Sequence, residues 1–123
     1  MNNYSNVEHI LNGISEVFNL YINYGNTNYT DDITHLEHAL QCAYRAQAEY
    51  PNDRELILGS FLHDVGHLVS LKDLHENNKY KVIEYENKPV TGLGLVNHDE
   101  VGALFLNKMG FSDRISNFSK YHV

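Results

Sequence analysis

The sequence has little that would mark a secreted, fibrous or membrane-spanning protein. Its 123 residues include one cysteine, two prolines and no tryptophan, so a disulfide framework within the chain is excluded. The longest near-apolar run, residues 56–62, contains a glycine and a serine and is far too short to cross a bilayer. No charged-then-apolar leader opens the chain. These absences predict a cytoplasmic protein in a reducing compartment with no membrane partner.

Positive charge is also scarce. Nine lysines and arginines face sixteen aspartates and glutamates, for a formal net charge of −7. A nucleic-acid partner is therefore excluded, because nothing basic is massed to displace phosphate counterions. The length allows one domain, residues 1–123. What the composition does offer is eight histidines, and these need an explanation.

The apolar spacing predicts an all-α helical bundle. Apolar residues recur at three- and four-residue steps, and the first predicted helix ends in a left-handed turn at Gly25. The third predicted helix continues without a break to Leu68, while residues 26–32 are polar and predict a loop. Helix-start signals precede the predicted helices at five positions: Ser5, Thr34, Asn52, Asn97 and Ser112.

The helical pattern lapses between Lys72 and Asn97. This segment contains glycines, a proline and a short alternation of apolar and polar residues, so an extended pair within it is left open. We predict a long, partly ordered insertion. A loop of this length in a small domain is more often a lid or a binding loop than a spacer.

Five histidines fall on the inward faces of the predicted helices, and an aspartate, Asp64, accompanies them. A single inward histidine is most simply a core residue with one satisfied nitrogen. Histidines from four helices together with an adjacent carboxylate also suit a divalent iron, manganese or zinc ion, because a metal removes the cost of burying them. Both interpretations remain open at this point. The inward histidines are His38, His63, His67, His98 and His122.

The other histidines and the cysteine are interpreted as structural. His9 lies near the polar side of the first predicted helix, His35 near a helix start, and His75 in the predicted insertion. Cys42 is interpreted as a small core residue.

Four strings of residues resemble the HD-domain superfamily. They are THLEHALQ at residues 34–41, LHDVGH at 62–67, HDEVGA at 98–103 and YHV at 121–123. The resemblance is closest to the mixed-valent di-iron oxygenases of organophosphonate catabolism, the group similar to 2-amino-1-hydroxyethylphosphonate dioxygenase. It extends from about residue 21 to residue 123 and implies an HD-type helical bundle.

The resemblance also implies a set of metal ligands. His38 and His63 would hold one iron ion, and His98 and His122 would hold the other. Asp64 would bridge the two ions, which cycle through Fe(II) and Fe(III) in this family. Each metal would then have two histidines and one carboxylate, a ligand set with open positions that manganese or zinc can also occupy.

Three roles at the substrate follow from the same resemblance. His67 would donate a hydrogen bond to the substrate phosphonate, and Tyr29 would cap the open iron position. Asp31, with Asp32 as the alternative, would hold the substrate amine. Because an aspartate is one methylene shorter than the glutamate of the family, a bulkier ammonium group would fit.

The implied activity is cleavage of a carbon–phosphorus bond with dioxygen. The substrate would be a small organophosphonate, a 2-amino-1-hydroxyalkylphosphonate, and the products phosphate and an amino acid. Two alternatives remain: an HD-type phosphohydrolase whose metals activate water, and a metal-binding remnant without activity. Relatives continue past the HV dipeptide with a phosphonate-binding lysine and a further iron ligand, so we expect a C-terminally incomplete domain. Uncovered apolar surface would then favour a homo-oligomer.

Overall fold

The computed structural model describes residues 4–77 and 97–122. Within them the chain forms six helices and one short hairpin, which confirms the all-α prediction. None of the described helices is long and apolar enough to cross a membrane. The elements are α1 (Tyr4–Tyr24), β1 (Asn28–Thr30), β2 (Ile33–Thr34), α2 (His35–Glu49), α3 (Arg54–Leu62), α4 (Val65–Asn77), α5 (His98–Lys108) and α6 (Asp113–Lys120).

The first helix ends as predicted next to Gly25, but for a different reason. Gly25 does not take a positive φ angle, so the predicted left-handed turn is wrong. A β-carbon at Gly25 would overlap the carbonyl oxygen of Tyr21 and press on the β-carbon of Leu36. The glycine is therefore required by the close approach of α1 to the start of α2.

The segment predicted as a loop contains a small antiparallel hairpin. Thr30 pairs with Ile33 around a two-residue turn, and the backbone N–H of His35 donates to the carbonyl oxygen of Thr27. Thr34 then caps α2 through a complete capping box with Glu37, which confirms the predicted start of this helix.

The predicted third helix is in fact two helices. Asp53, rather than the predicted Asn52, accepts the capping hydrogen bond from the backbone N–H of Leu56. The helix stops at Leu62, and α4 begins at Val65. Only the two residues of the His-Asp pair lie between them. Apolar residues continue in helical register across this break, which is why spacing alone predicts one helix.

The start of the predicted insertion at Lys72 is also wrong. Helix α4 continues through Lys72 to Asn77, because Leu74 is buried and keeps this turn packed on the bundle. The rest of the predicted lid, residues 78–96, lies outside the described residues. The chain is described again from Asn97, which precedes α5 with a φ angle of 67° and makes no side-chain capping bond. Asn97 is thus a left-handed entry to α5 rather than the predicted cap.

The helices pack on one another in a series. Helix α2 packs on α3, α3 on α6, α6 on α5 and α5 on α4, while α1 lies across α4. The N-cap predicted at Ser112 is confirmed, since its hydroxyl accepts from the backbone N–H of Ile115. The hydrophobic core between the described helices consists of Leu20, Tyr21, Ala39, Leu62, Val65, Leu68, Leu106 and Ile115.

Two glycines let α4 and α5 touch backbone to backbone. A β-carbon on Gly66 would overlap the carbonyl oxygen of His98 and approach the backbone nitrogen of Gly102 to 2.9 Å. A β-carbon on Gly102 would in turn overlap the hydroxyl of Ser119. This crossing brings the residues after the α3–α4 break directly beside the start of α5.

Candidate metal centre

The helices enclose a polar cavity of about 290 Å³. It contains every metal ligand that the resemblance implies, supplied by α2, the α3–α4 break, the start of α5 and the turn that follows α6. Five of the seven described lining residues are histidines. The cavity is lined by Tyr29, His38, His63, Asp64, His67, His98 and His122.

One oxygen of Asp64 forms a triangle with two imidazoles. Oδ2 lies 3.1 Å from Nε2 of His38 and 3.0 Å from Nε2 of His63. The two nitrogens are 3.3 Å apart. Three electron-rich atoms, one from α2 and two from the α3–α4 break, therefore surround one point.

The other oxygen of Asp64 faces a second pair of imidazoles. Oδ1 lies 2.8 Å from Nε2 of His122, and this nitrogen is 3.3 Å from Nε2 of His98. The ligand atoms of Asp64, His98 and His122 all lie within 4.8 Å of one another. A single buried carboxylate thus separates two pairs of histidines, with one oxygen directed to each pair.

Backbone carbonyls orient one histidine in each pair. Nδ1 of His63 donates to the carbonyl oxygen of Ser60 at 2.6 Å, and Nδ1 of His122 donates to the carbonyl oxygen of Ser119 at 2.6 Å. A neutral imidazole that donates through Nδ1 carries its lone pair on Nε2. Both histidines therefore direct Nε2 towards Asp64, the orientation that metal-binding histidines with a carbonyl partner adopt.

These separations fit a pair of divalent cations. Ligand atoms bound 2.0–2.2 Å from one ion lie about 2.8–3.6 Å apart for angles between right and tetrahedral, and the measured separations are 2.8–3.3 Å. A single proton can bridge only two atoms of the triangle around Oδ2, whereas a cation satisfies all three. Neutral imidazole and carboxylate are donors that suit iron, manganese or zinc.

The electrostatics favour an ionised carboxylate at the centre. Burial opposes ionisation of Asp64, but the hydrogen bond and charge of His63, followed by the charges of His122 and His67, hold the pKa of the carboxyl below its usual value. Burial lowers the pKa of His38 and of His98. Two of the imidazoles are therefore held in the neutral, metal-binding form.

The pKa of His63 moves the other way. Burial lowers it, but the hydrogen bond to Asp64 and the charge of Asp64 outweigh burial and raise the pKa overall. A cation between the two groups takes the place of the proton that this pair would otherwise share.

The residues predicted to contact substrate divide into two groups. His67 is fully buried, with Nε2 3.8 Å from Oδ1 of Asp64 and its ring stacked on His98 at 3.9 Å. Tyr29 stacks on His38, with ring centroids 3.9 Å apart and planes 7° apart. Asp31 and Asp32 are exposed at the hairpin turn and are not among the residues that line the cavity.

Two residues that the sequence analysis interpreted as structural lie next to the centre. The sulfur of Cys42 is 3.8 Å from Nε2 of His38, and Cys42 groups with His38 and His63 as a possible metal-binding set. Burial, followed by the charge of Asp64, raises the pKa of its thiol. His35 is buried against the rings of Tyr29 and His67. Both residues share a helix face with His38, at spacings of three and four, and that spacing was the available signal.

Comparison with known proteins gives two relatives. The chain is 31% identical to an uncharacterized protein of Acanthamoeba polyphaga mimivirus over 120 residues, which is 97% of this chain and 49% of the relative. It is 33% identical to a hydroxymethylphosphonate dioxygenase of Gimesia maris over 78 residues, 63% of this chain and 37% of the relative. The chain thus spans half or less of the length of these relatives. No family model matches it, and no solved structure matches it.

Proposed function

We propose that this chain is the metal-binding domain of a di-iron oxygenase that cleaves the carbon–phosphorus bond of a 1-hydroxyalkylphosphonate. The observation that carries the proposal is the division of Asp64 between two pairs of histidines. Similarity to a protein named hydroxymethylphosphonate dioxygenase supports the substrate class. Iron is proposed among the metals that the donors fit, because the reaction consumes dioxygen.

The proposed reaction balances with dioxygen as the oxidant. A 1-hydroxyalkylphosphonic acid and one O₂ give one carboxylic acid and one phosphoric acid. The carbon–phosphorus and C1–hydrogen bonds break, C1 is oxidised to a carboxyl carbon, and O₂ is reduced as its atoms enter the products. When bound, the iron pair would supply an oxygen-binding position and reversible electron transfer, with no net change in its oxidation state over the reaction.

The residues of the chain would bind and orient the substrate. His67 would donate a ring N–H to a phosphonate oxygen, since it lies in the cavity wall beside Asp64. Tyr29 would restrict the access of water to the metal held by His38 and His63, because its ring covers one face of His38. Hydrogen bonds to backbone carbonyls would hold the rings of His63 and of His122 with Nε2 directed into the site.

Whether the substrate carries an amino group is a separate question from whether it is a 1-hydroxyalkylphosphonate. A 2-amino substrate would need a carboxylate near its ammonium group, and Asp31 is the predicted one. Asp64 is the only carboxylate among the described lining residues, and a substrate without the amine requires no second one. We therefore keep both hydroxymethylphosphonate and 2-amino-1-hydroxyethylphosphonate as candidates.

The test loads the protein with Fe(II) under argon and then admits oxygen. We expect one phosphate released per O₂ consumed, from one of the two phosphonates. A variant His67→Ala should lose phosphate release and keep its iron, and His9→Ala is the matched control because His9 is exposed. Phosphate release without oxygen, or hydrolysis of a phosphate ester, would replace the proposal with a phosphohydrolase. Bound iron with no turnover of either phosphonate would reduce it to a metal-binding domain.

A further inference from the structure

His35 carries a polar ring that has no polar partner in the described part of the chain. It is 2% exposed, and neither ring nitrogen has a hydrogen-bond partner among the residues that the structure describes. Buried polar groups in proteins are nearly always hydrogen-bonded, and an exception calls for a functional explanation. A phenyl ring would fill a similar volume without this cost, so packing alone does not account for a histidine.

The surroundings of His35 connect it to both halves of the metal centre. Its ring meets Tyr29 edge-on at 5.5 Å and lies 5.2 Å from the ring of His67. Tyr29 stacks on His38, and His67 stacks on His98. Five rings therefore form a continuous series from a ligand of the first pair to a ligand of the second, by a route that does not include Asp64.

We propose that His35 is a positioning residue that holds Tyr29 and His67 in place for a phosphonate, and that its ring nitrogens gain a hydrogen bond when the ligand binds. This inference rests on the proposed function, because it assumes a phosphonate between Tyr29 and His67. Its physical basis is the difference between the ligand-free and the ligand-bound protein. The cost of the unpartnered imidazole is present without ligand and is relieved with it, which strengthens ligand binding.

The test compares His35→Phe with the unaltered protein, using a zinc-loaded form that does not turn over. Metal content should be unchanged, and the melting temperature should be unchanged or higher. The affinity for hydroxymethylphosphonate, measured by calorimetry, should fall about tenfold, in keeping with the loss of one buried hydrogen bond. His35→Gln, which restores a donor and an acceptor, should recover part of that affinity. His9→Phe is the matched control at an exposed histidine.

A second measurement keeps the inference testable if the variants fold poorly. In the unaltered zinc-loaded protein, the ring ¹⁵N signals of His35 should shift when hydroxymethylphosphonate is added. Equal affinity of His35→Phe and the unaltered protein, or unmoved His35 signals at saturating ligand, would overturn the inference. Binding with no oxygen-dependent turnover would instead count against the proposed function alone, so the two failures are distinguishable.

Discussion

Two hollow regions formed by the described residues differ in character. The polar cavity of about 290 Å³ is walled by histidines and one carboxylate. The second region, which we call the apolar groove, measures about 730 Å³ and is lined by side chains of α1, α2, α3 and the turn between α5 and α6. Most of its lining is aliphatic or aromatic, and several of its α1 side chains are exposed, including Phe18 at 63% and Ile22 at 69%.

The two regions are built by different means. The polar cavity depends on fixed backbone: a helix break, a contact between two glycines, and carbonyls that orient imidazoles. The apolar groove depends mainly on the apolar stripe of α1, beside a close approach of Gly13 to the carbonyl oxygen of Met109 and a hydrogen bond from Tyr21 to the carbonyl oxygen of Phe61. A single substitution is therefore expected to be costly at the first region and mild at the exposed positions of the second. Substitutions at named residues distinguish these regions from each other and from the exposed surface, with effects that fall from the first to the last.

The largest effect is expected from Gly66→Ala. The new methyl group would overlap the carbonyl oxygen of His98, and backbone cannot move aside as a side chain can. We expect a loss of at least about 3 kcal/mol in the free energy of unfolding, together with loss of bound metal. Urea denaturation and elemental analysis measure the two effects. His75→Ala, exposed on the same helix, is the control, and an unchanged Gly66→Ala protein would contradict the close crossing.

The next effect is expected from Asp64→Asn. The amide is neutral and cannot offer an anionic oxygen to each histidine pair, so both metals should be lost. The drop in affinity should exceed the roughly 10–100-fold typical of an outer-shell partner. A chelator should lower the melting temperature of the unaltered protein and leave that of the variant unchanged. Asp99→Asn is the control outside the cavity lining, and two metals retained in Asp64→Asn would contradict the shared carboxylate.

The apolar groove is the subject of a smaller predicted effect. Self-association, expected from the sequence, stays a prediction. Exchanging Phe18 and Ile22 for glutamine should lower the light-scattering mass at high concentration. Because both side chains are exposed, the free energy of unfolding of the isolated chain should change by no more than about 0.5 kcal/mol per site. Tyr44→Gln, on an exposed residue outside the groove, is the control. A monomer at every concentration would refute the prediction.

The smallest effect concerns the exposed ion pair between α3 and α6. Two hydrogen bonds from Arg114, at 2.8 and 2.9 Å, lower the pKa of Asp53 to about 2. A lowered folded-state pKa contributes stability above the ordinary value of 3.8, and this contribution is lost as the pH falls towards 2. Asp53→Asn keeps the helix cap and should remove only this pH dependence.

Urea midpoints between pH 2 and pH 5 measure the Asp53 effect. The difference between the variant and the unaltered protein should shrink at low pH and in high salt, because salt screens exposed charges. A difference that persists at pH 2 would show that Asp53 acts through something other than its charge.

The sequence predicted the local features of the fold only in part, since the caps at Asn52 and Asn97 are wrong. The caps at Thr34 and Ser112 depend on contacts within one helical turn, and the structure confirms both. The break at His63 and Asp64 could not be predicted, since the apolar register continues across it. In an unbroken helix, neighbouring side chains point about 100° apart. The break lets Nε2 of His63 and Oδ2 of Asp64 come within 3.0 Å of each other.

The candidate site was predictable in its members and not in its surroundings. The inward histidines and Asp64 came from helical spacing together with a family resemblance, and the structure brings them into one cavity. The burial of His35 was not predictable, because it depends on the hairpin that places Tyr29 beside it. Asp31 shows the opposite case. Its position in the chain matches that of the family's substrate-binding acid, but its side chain lies at an exposed turn.

The carbonyl contacts that orient His63 and His122 are both local in the sequence. Each contact spans three residues and repeats the same short pattern, a serine whose carbonyl accepts from the histidine three positions later. The orientation of each imidazole is thus set within four consecutive residues rather than by contacts with distant parts of the chain. A tetrapeptide of this pattern, placed at the end of a helix in an unrelated bundle, should therefore orient Nε2 of its histidine in the same way.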